Sequence, residues 1–277
     1  MKIEVDLHLH SNYSDGKYSI TEVIELAIEK GLKIISITDH DTIDGVHEAS
    51  ILAEAKGIQN IPGVEVSSEI EGQEIHILGY FIDITNPDLK VYLQKFKEER
   101  LNRAERILTK LKKLGVNLTI DEVLQFSESK PITRPHIAFA LIKKKIVKSY
   151  YEAFQKYLGD FSDAYEKKHH SSPEVVIELI KSCGGLSFLA HPYNLSDGKL
   201  MDIIKSGIDG IEIYHPTIKK NRQEFLHKIA LQYSLLESGG SDFHGGLRND
   251  YSNFGKFGLY LNQMEKIFER TNLKRGH

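Results

Sequence analysis

Seven short apolar runs, each holding or leading into a histidine or a carboxylate, constrain this 277-residue chain more than any other feature. They cover residues 3–7, 33–38, 61–66, 74–81, 185–189, 210–214 and 235–238. Ile, Val and Leu dominate most of them with little strict alternation, as in strands covered on both faces. Amphipathic stretches over 20–30, 46–56 and 174–181 lie between, the last with Ser172 as N-cap and Pro173 at the first helical position. Strands alternating with helices predict an α/β parallel barrel. One link, from 66 to 74, is too short for a helical crossover and predicts a hairpin. Residues 86–165 break the rhythm. They read as a helix over 86–114 and shorter ones over 120–126, 135–145 and 150–158, an all-helical insertion between the fourth and fifth strands. The expected organisation is therefore a barrel from 1–85 and 166–277, with 86–165 as a capping domain.

Barrel active sites form where C-terminal strand ends and their loops converge. The first run ends in Asp6-Leu7-His8-Leu9-His10, with Asp15 in the loop beyond, and the second in Thr38-Asp39-His40-Asp41. Glu65 lies in the third and His76 in the fourth. The fifth ends in Ala190-His191-Pro192, the sixth in Tyr214-His215-Pro216, and the seventh leads into Gly240-Ser241-Asp242-Phe243-His244. Alternate residues on a strand share a face, so His8 and His10 can reach one ion, and Asp242-X-His244 repeats the spacing. Imidazole with carboxylate and no thiolate suits Zn²⁺, Mn²⁺ or Fe²⁺. Asp39 and Asp41 are expected to orient ligand imidazoles, or, for Asp41, to cap a helix. His215 is expected to face the same mouth, as a substrate contact or a proton donor to the leaving oxygen.

Charge and cysteine usage bound the partners. The net charge is −3, yet residues 86–170 hold 18 Lys plus Arg against 11 Asp plus Glu, leaving 18 against 28 elsewhere. A basic block inside an acidic chain suits an anionic substrate, although a solvated helical surface has the same composition. A single cysteine, Cys183, excludes an internal disulfide and fits a reducing cytoplasm, the expected location. No apolar run approaches the length of a membrane span.

These segments together resemble the PHP family, named for polymerase and histidinol phosphatase. The likeness rests on His8-Leu9-His10-Ser11 with Asp15-Gly16, Thr38-Asp39-His40-Asp41, Gly63-Val64-Glu65, Ala190-His191-Pro192 and Gly240-Ser241-Asp242-Phe243-His244. It implies a distorted (β/α)7 TIM-like barrel and a trinuclear centre, with Mn²⁺ expected and Zn²⁺ or Fe²⁺ as alternatives. One ion would take His8, His10, Glu65 and Asp242, a second Glu65, His76 and His191, and the third Asp15, His40 and His244. The implied chemistry is in-line attack on a phosphate ester by metal-bound hydroxide.

Thr133-Arg134-Pro135-His136 is similar to a motif of the branch with nucleotide 3′,5′-bisphosphate phosphatases and RNase AM. By that likeness Arg134 and His136 would hold a substrate phosphate. The expected partner is thus a small phosphate ester, a nucleotide or short oligonucleotide, with no membrane and no obligate protein partner. A histidinol-phosphate phosphatase and a non-catalytic PHP module are the rival readings.

Overall fold

The apolar runs become strands in a computed structural model that describes residues 2–126, 132–168 and 170–275. The chain divides into two compact units, Met1–Lys90 with His170–His277, and Val91–His169.

In the first unit, β1 (Val5–Leu9), β2 (Ile34–Ile37) and β3 (Gln59–Asn60) form a parallel sheet in that order. A second sheet runs β4 (Gly63–Ile70), β5 (Gln73–Tyr80), β6 (Leu186–Leu189), β7 (Gly210–Tyr214) and β8 (Leu236–Gly239). The predicted hairpin is β4–β5. Its turn residues Glu71 and Gly72 both have positive φ, 47° and 79°, the conformation that matches the twist of paired antiparallel strands.

The parallel strand pairing expected from the sequence is corrected here. The reversed β5 pairs antiparallel with β6 as well, and only β6–β7–β8 continue in parallel. No continuous ladder among the described residues joins the two sheets. Their edges meet through the single bridges Leu9–Phe243 and His40–Glu65. The two-residue β3 was not predicted, because Gln59–Asn60 is polar and too short to show a period.

Helix α1 (Ile20–Lys30) starts at a reciprocal Ser19–Glu22 capping box and ends at Gly31 with φ 78°. It buries Ile20, Val23, Ile24 and Ala27 against Leu9, Ile35 and Phe243. Each of the three larger side chains, Ile20, Val23 and Ile24, contributes about 1.5–3 kcal/mol on burial. Helix α2 (Val46–Ala55) follows β2.

The second unit holds most of α3 (Pro87–Lys113), with α4 (Ile120–Leu124), α5 (Arg134–Lys143) and α6 (Tyr150–Ala153). It has its own core, including Ile107, Leu111, Ile137, Leu141 and Leu158. The helix expected over 150–158 passes after Ala153 into a π-helical turn, Phe154–Leu158, where Gly159 N donates to Phe154 O.

The first unit resumes with α7 (Pro173–Ser182), its N-cap at Ser172 as predicted, then α8 (Asp197–Lys205), α9 (Lys220–Gln232) and α10 (Leu261–Arg275). No described helix is long and apolar enough to cross a membrane.

Candidate metal centre

Pairing brings the donor side chains together. His10 N donates to Phe243 O and Asp242 N to His8 O, which sets β1 beside the segment after β8. Asp41 N donates to Glu65 O, setting the end of β2 beside β4. Because β5 runs in reverse, its early residue His76 pairs with Ser67 and accepts at its carbonyl from Ala190 N, next to His191.

The result is a cluster around Glu65, whose side chain is fully buried. Its Oε2 lies 3.1 Å from His8 Nε2, 3.3 Å from His10 Nε2 and 3.1 Å from His40 Nδ1. Its Oε1 lies 2.9 Å from His76 Nδ1 and 3.1 Å from His191 Nε2. Asp242 Oδ1 sits 3.4 Å from His8 Nε2 and 3.0 Å from His10 Nε2. Asp15 Oδ1 lies 3.2 Å from His244 Nε2 and 3.8 Å from His10 Nδ1. The nine sequence-singled donors thus fall in one place. His8, His10, Glu65 and Asp242 form one group, and His10, Asp15, His40 and His244 another. His40 also groups with Glu65 and His76, so it lies between two groups rather than in one.

This geometry fits a metal. With bonds of about 2.1 Å, donors around one ion stand about 3.0–3.4 Å apart, the spacing found here. Buried His10 Nδ1 and His244 Nε2 make no hydrogen bond within the protein. Such orphans are costly unless something outside the chain meets them.

Ring tautomers follow from the neighbours. His8 Nδ1 faces Glu212 Oε1 at 3.0 Å, and His244 Nδ1 faces the Asp242 carbonyl at 2.8 Å. Both partners only accept, so Nδ1 carries the proton and Nε2 presents its lone pair to the cluster. His215 is the reverse. Its Nδ1 accepts from Thr217 N at 3.2 Å, which leaves the proton of the neutral ring on Nε2. That atom is buried, without a hydrogen bond, and 3.5 Å from Asp242 Oδ2. His215 is therefore built to donate.

The charged cluster shifts titration strongly. Burial opposes a charge on His10, yet Asp242 and Glu65 push its pKa up to about 9. Burial likewise opposes charge on His76, but Glu65 and Glu74 raise it to about 10. Burial takes His40 down to about 3 against the pull of Glu65 and Asp15.

Backbone strain collects here too. Asp41, His191 and Asp242 have φ of 54°, 28° and 52°. A left-handed non-glycine residue costs about 1–2 kcal/mol. Bonds from His191 N to Glu212 Oε2 and from Asp242 N to His8 O hold two of them in place.

Asp39 and Asp41 tie loops to their neighbours. Asp39 is filled by Ser11 N, Ser11 Oγ and Ser14 Oγ, so it fixes the loop after β1. Asp41 accepts from Ser67 N and Oγ and ties the loop after β2 to β4, while the N-cap of α2 is Gly45. Arg134 and His136 lie in the helical unit. Arg134 Nη1 donates to Leu158 O and Asp160 Oδ1 with its guanidinium over the Phe154 and Tyr165 rings, and His136 Nδ1 accepts from Thr133 N.

Sequence reasoning missed four residues. Glu212 orients His8 and supports His191. Asp6 accepts from Ser241 N, Ser241 Oγ and His8 N, and burial pushes its carboxyl up to about 7 against those donors. Asp250 accepts from His244 N and Gly246 N. Arg248 Nη2 donates to Asp15 Oδ2 at 2.6 Å. Glu212 and Asp6 carried a signal, a lone acid inside a buried apolar strand. Asp250 and Arg248, in an irregular loop, carried none.

Comparison with known proteins gives this centre a context. The family model for the PHP domain matches residues 6–184. The chain is 37% identical to a 5′-3′ exoribonuclease of Haemophilus influenzae over 251 residues, 88% of this chain and 91% of the other. It is 32% identical to a 3′,5′-nucleoside bisphosphate phosphatase of Chromobacterium violaceum over 250 residues, 87% of each. A solved structure of a proposed metal-dependent phosphoesterase from Bifidobacterium adolescentis superposes with TM-score 0.82 at 30% identity, covering 96% of both chains.

Proposed function

This chain belongs to the PHP domain family and is a metal-dependent hydrolase of phosphate esters, and from that membership we propose that it acts on nucleotides. Its substrates in this reading are phosphomonoesters of the 3′,5′-bisphosphate type or short RNA ends. The observation that carries it is Glu65, a buried carboxylate with five imidazole nitrogens within 3.3 Å of its two oxygens. Five rings cannot all be charged around one acid in a buried site, so cations are the natural partners of their lone pairs.

Three ions are assigned: one to His8, His10, Glu65 and Asp242, a second to Glu65, His76 and His191, a third to Asp15, His40 and His244, with Mn²⁺ favoured over Zn²⁺ or Fe²⁺. Divalent ions held there would supply Lewis-acid charge for phosphoryl oxygens and for the activation of water. The chain does the rest. Glu212, Asp250 and the Asp242 carbonyl hold the rings in their ligating poses. His215 offers an N–H at Nε2 to an oxygen of the ester, the leaving oxygen by preference. Arg134 and His136 are assigned to a substrate phosphate, on the likeness of their motif and the basic charge of their unit. That unit is read as a cap, and the two sheets as a distorted (β/α)7 barrel, supported by single bridges at both joins.

Metal analysis of protein purified without chelator should find two to three transition ions per chain. Wild type should release phosphate from adenosine 3′,5′-bisphosphate, and His191→Ala should lose more than about 100-fold of that activity. Absence of bound ions, or full activity in His191→Ala, would overturn the assignment.

A further inference from the structure

We propose that Arg248 binds the phosphoryl group under attack, a role that rests on the phosphoesterase reading and adds a specific anion contact to it. A cavity of about 270 Å³ opens on the metal centre, lined in part by His40, His76, His191, His215 and Arg248. Among its described lining residues Arg248 is the one permanent cation.

Its guanidinium sits on the outer oxygens of two proposed ligands. Nη2 is 2.6 Å from Asp15 Oδ2 and Nη1 is 3.8 Å from Asp242 Oδ2. The other oxygen of each acid, Oδ1, faces imidazoles, His244 for Asp15 and His8 and His10 for Asp242, while Asp242 Oδ2 also lies 3.5 Å from His215 Nε2 at the cavity wall. The arginine thus approaches from the cavity side. Both partners of the Arg248–Asp15 pair are about half exposed, at 50% and 43%, and such a pair contributes little to stability. Five N–H donors in a planar fork exceed what Asp15 takes, and the remainder suit phosphate oxygens bidentately.

The loop is held for this purpose. Asp250 accepts from His244 N and Gly246 N, and Gly246, at φ 85°, lies so close to Tyr251 that a Cβ would stand 2.1 Å from its ring. The backbone is therefore pinned on both sides of the residue, while its side chain reaches the mouth. Charge placed where the phosphoryl oxygens gain it in the transition state speeds the reaction as well as tightening binding.

The test compares wild type, Arg248→Gln and Arg248→Lys, each loaded with Mn²⁺ and checked for metal content and melting temperature. Calorimetric titration with inorganic phosphate reads binding without turnover, and steady-state hydrolysis of p-nitrophenyl phosphate reads catalysis. Arg248→Gln is expected to keep its metal, to bind phosphate about 10- to 100-fold more weakly and to lose at least as much in kcat/KM, with Arg248→Lys between. Unchanged phosphate affinity in Arg248→Gln overturns the proposal. So does loss of metal with no further loss of affinity once metal is restored, which makes Arg248 a prop for Asp15. Failure of the phosphoesterase reading shows separately, as a wild type that binds phosphate but frees none from any ester.

Discussion

Both oxygens of Glu65 are shared among five imidazoles, and without metal those contacts favour protons on some of the rings. His8, His10 and His76 take them, the last two with pKa values pushed up to about 9 and about 10 from the ordinary 6.5. A histidine whose folded pKa lies above its unfolded value stabilises the fold fully below the unfolded value and loses that contribution as pH rises through the folded one. Metal-free protein should therefore lose melting temperature between about pH 7 and pH 10, while Mn²⁺-loaded protein, its rings already neutral and ligated, should stay nearly flat there. Thermal melts across that range with and without chelator check this, and parallel curves would sink it. At this scale the candidate ligands were legible because most of them interrupt, end or closely follow an apolar run. Glu212, between Ile211 and Ile213, sends the same signal but belongs to none of the segments that carry the family likeness. Arg248 had no such mark, since only chain closure brings residues 15 and 248 together.

Elements fix how precisely those residues meet. The β4–β5 link showed its hairpin in the sequence, but the antiparallel β5–β6 pair is a consequence of sheet order, which no local pattern encodes. Hence the helix start at Ser172 was readable, whereas the antiparallel partner of β6 was not. The same dependence on tertiary approach makes Gly240 critical. A Cβ there would stand 2.3 Å from His8 Cβ and 2.6 Å from His8 N, with Asp6 Oδ1 at 2.9 Å. Backbone cannot yield as a flexible side chain would, so Gly240→Ala must push β1 away from the segment carrying Asp242 and His244. The expected cost is about 1–3 kcal/mol of stability together with weakened metal binding. Denaturant melts of the chelated protein and metal titrations separate the two effects, and a Gly240→Ala protein matching wild type in both would refute the close approach.

Charge is uneven over the whole molecule. Residues 91–169, the helical unit, hold 17 basic against 10 acidic residues, while the remainder of the chain holds 19 against 29. A folded helical unit of net +7 attracts polyanions at long range, and that attraction is screened over about 10 Å at 0.1 M salt. A small monoester near the metals feels chiefly the ions and the groups within a few ångströms. A short RNA extends past them, and each phosphate neutralised by Lys or Arg releases counterions, so its binding must weaken with salt. Raising KCl from about 50 to about 500 mM should thus lower kcat/KM for a 5-nucleotide RNA roughly 3- to 10-fold more than for p-nitrophenyl phosphate. Equal salt sensitivity of the two substrates would mean that the basic unit takes no part in substrate capture, and that its lysines are only a solvated surface.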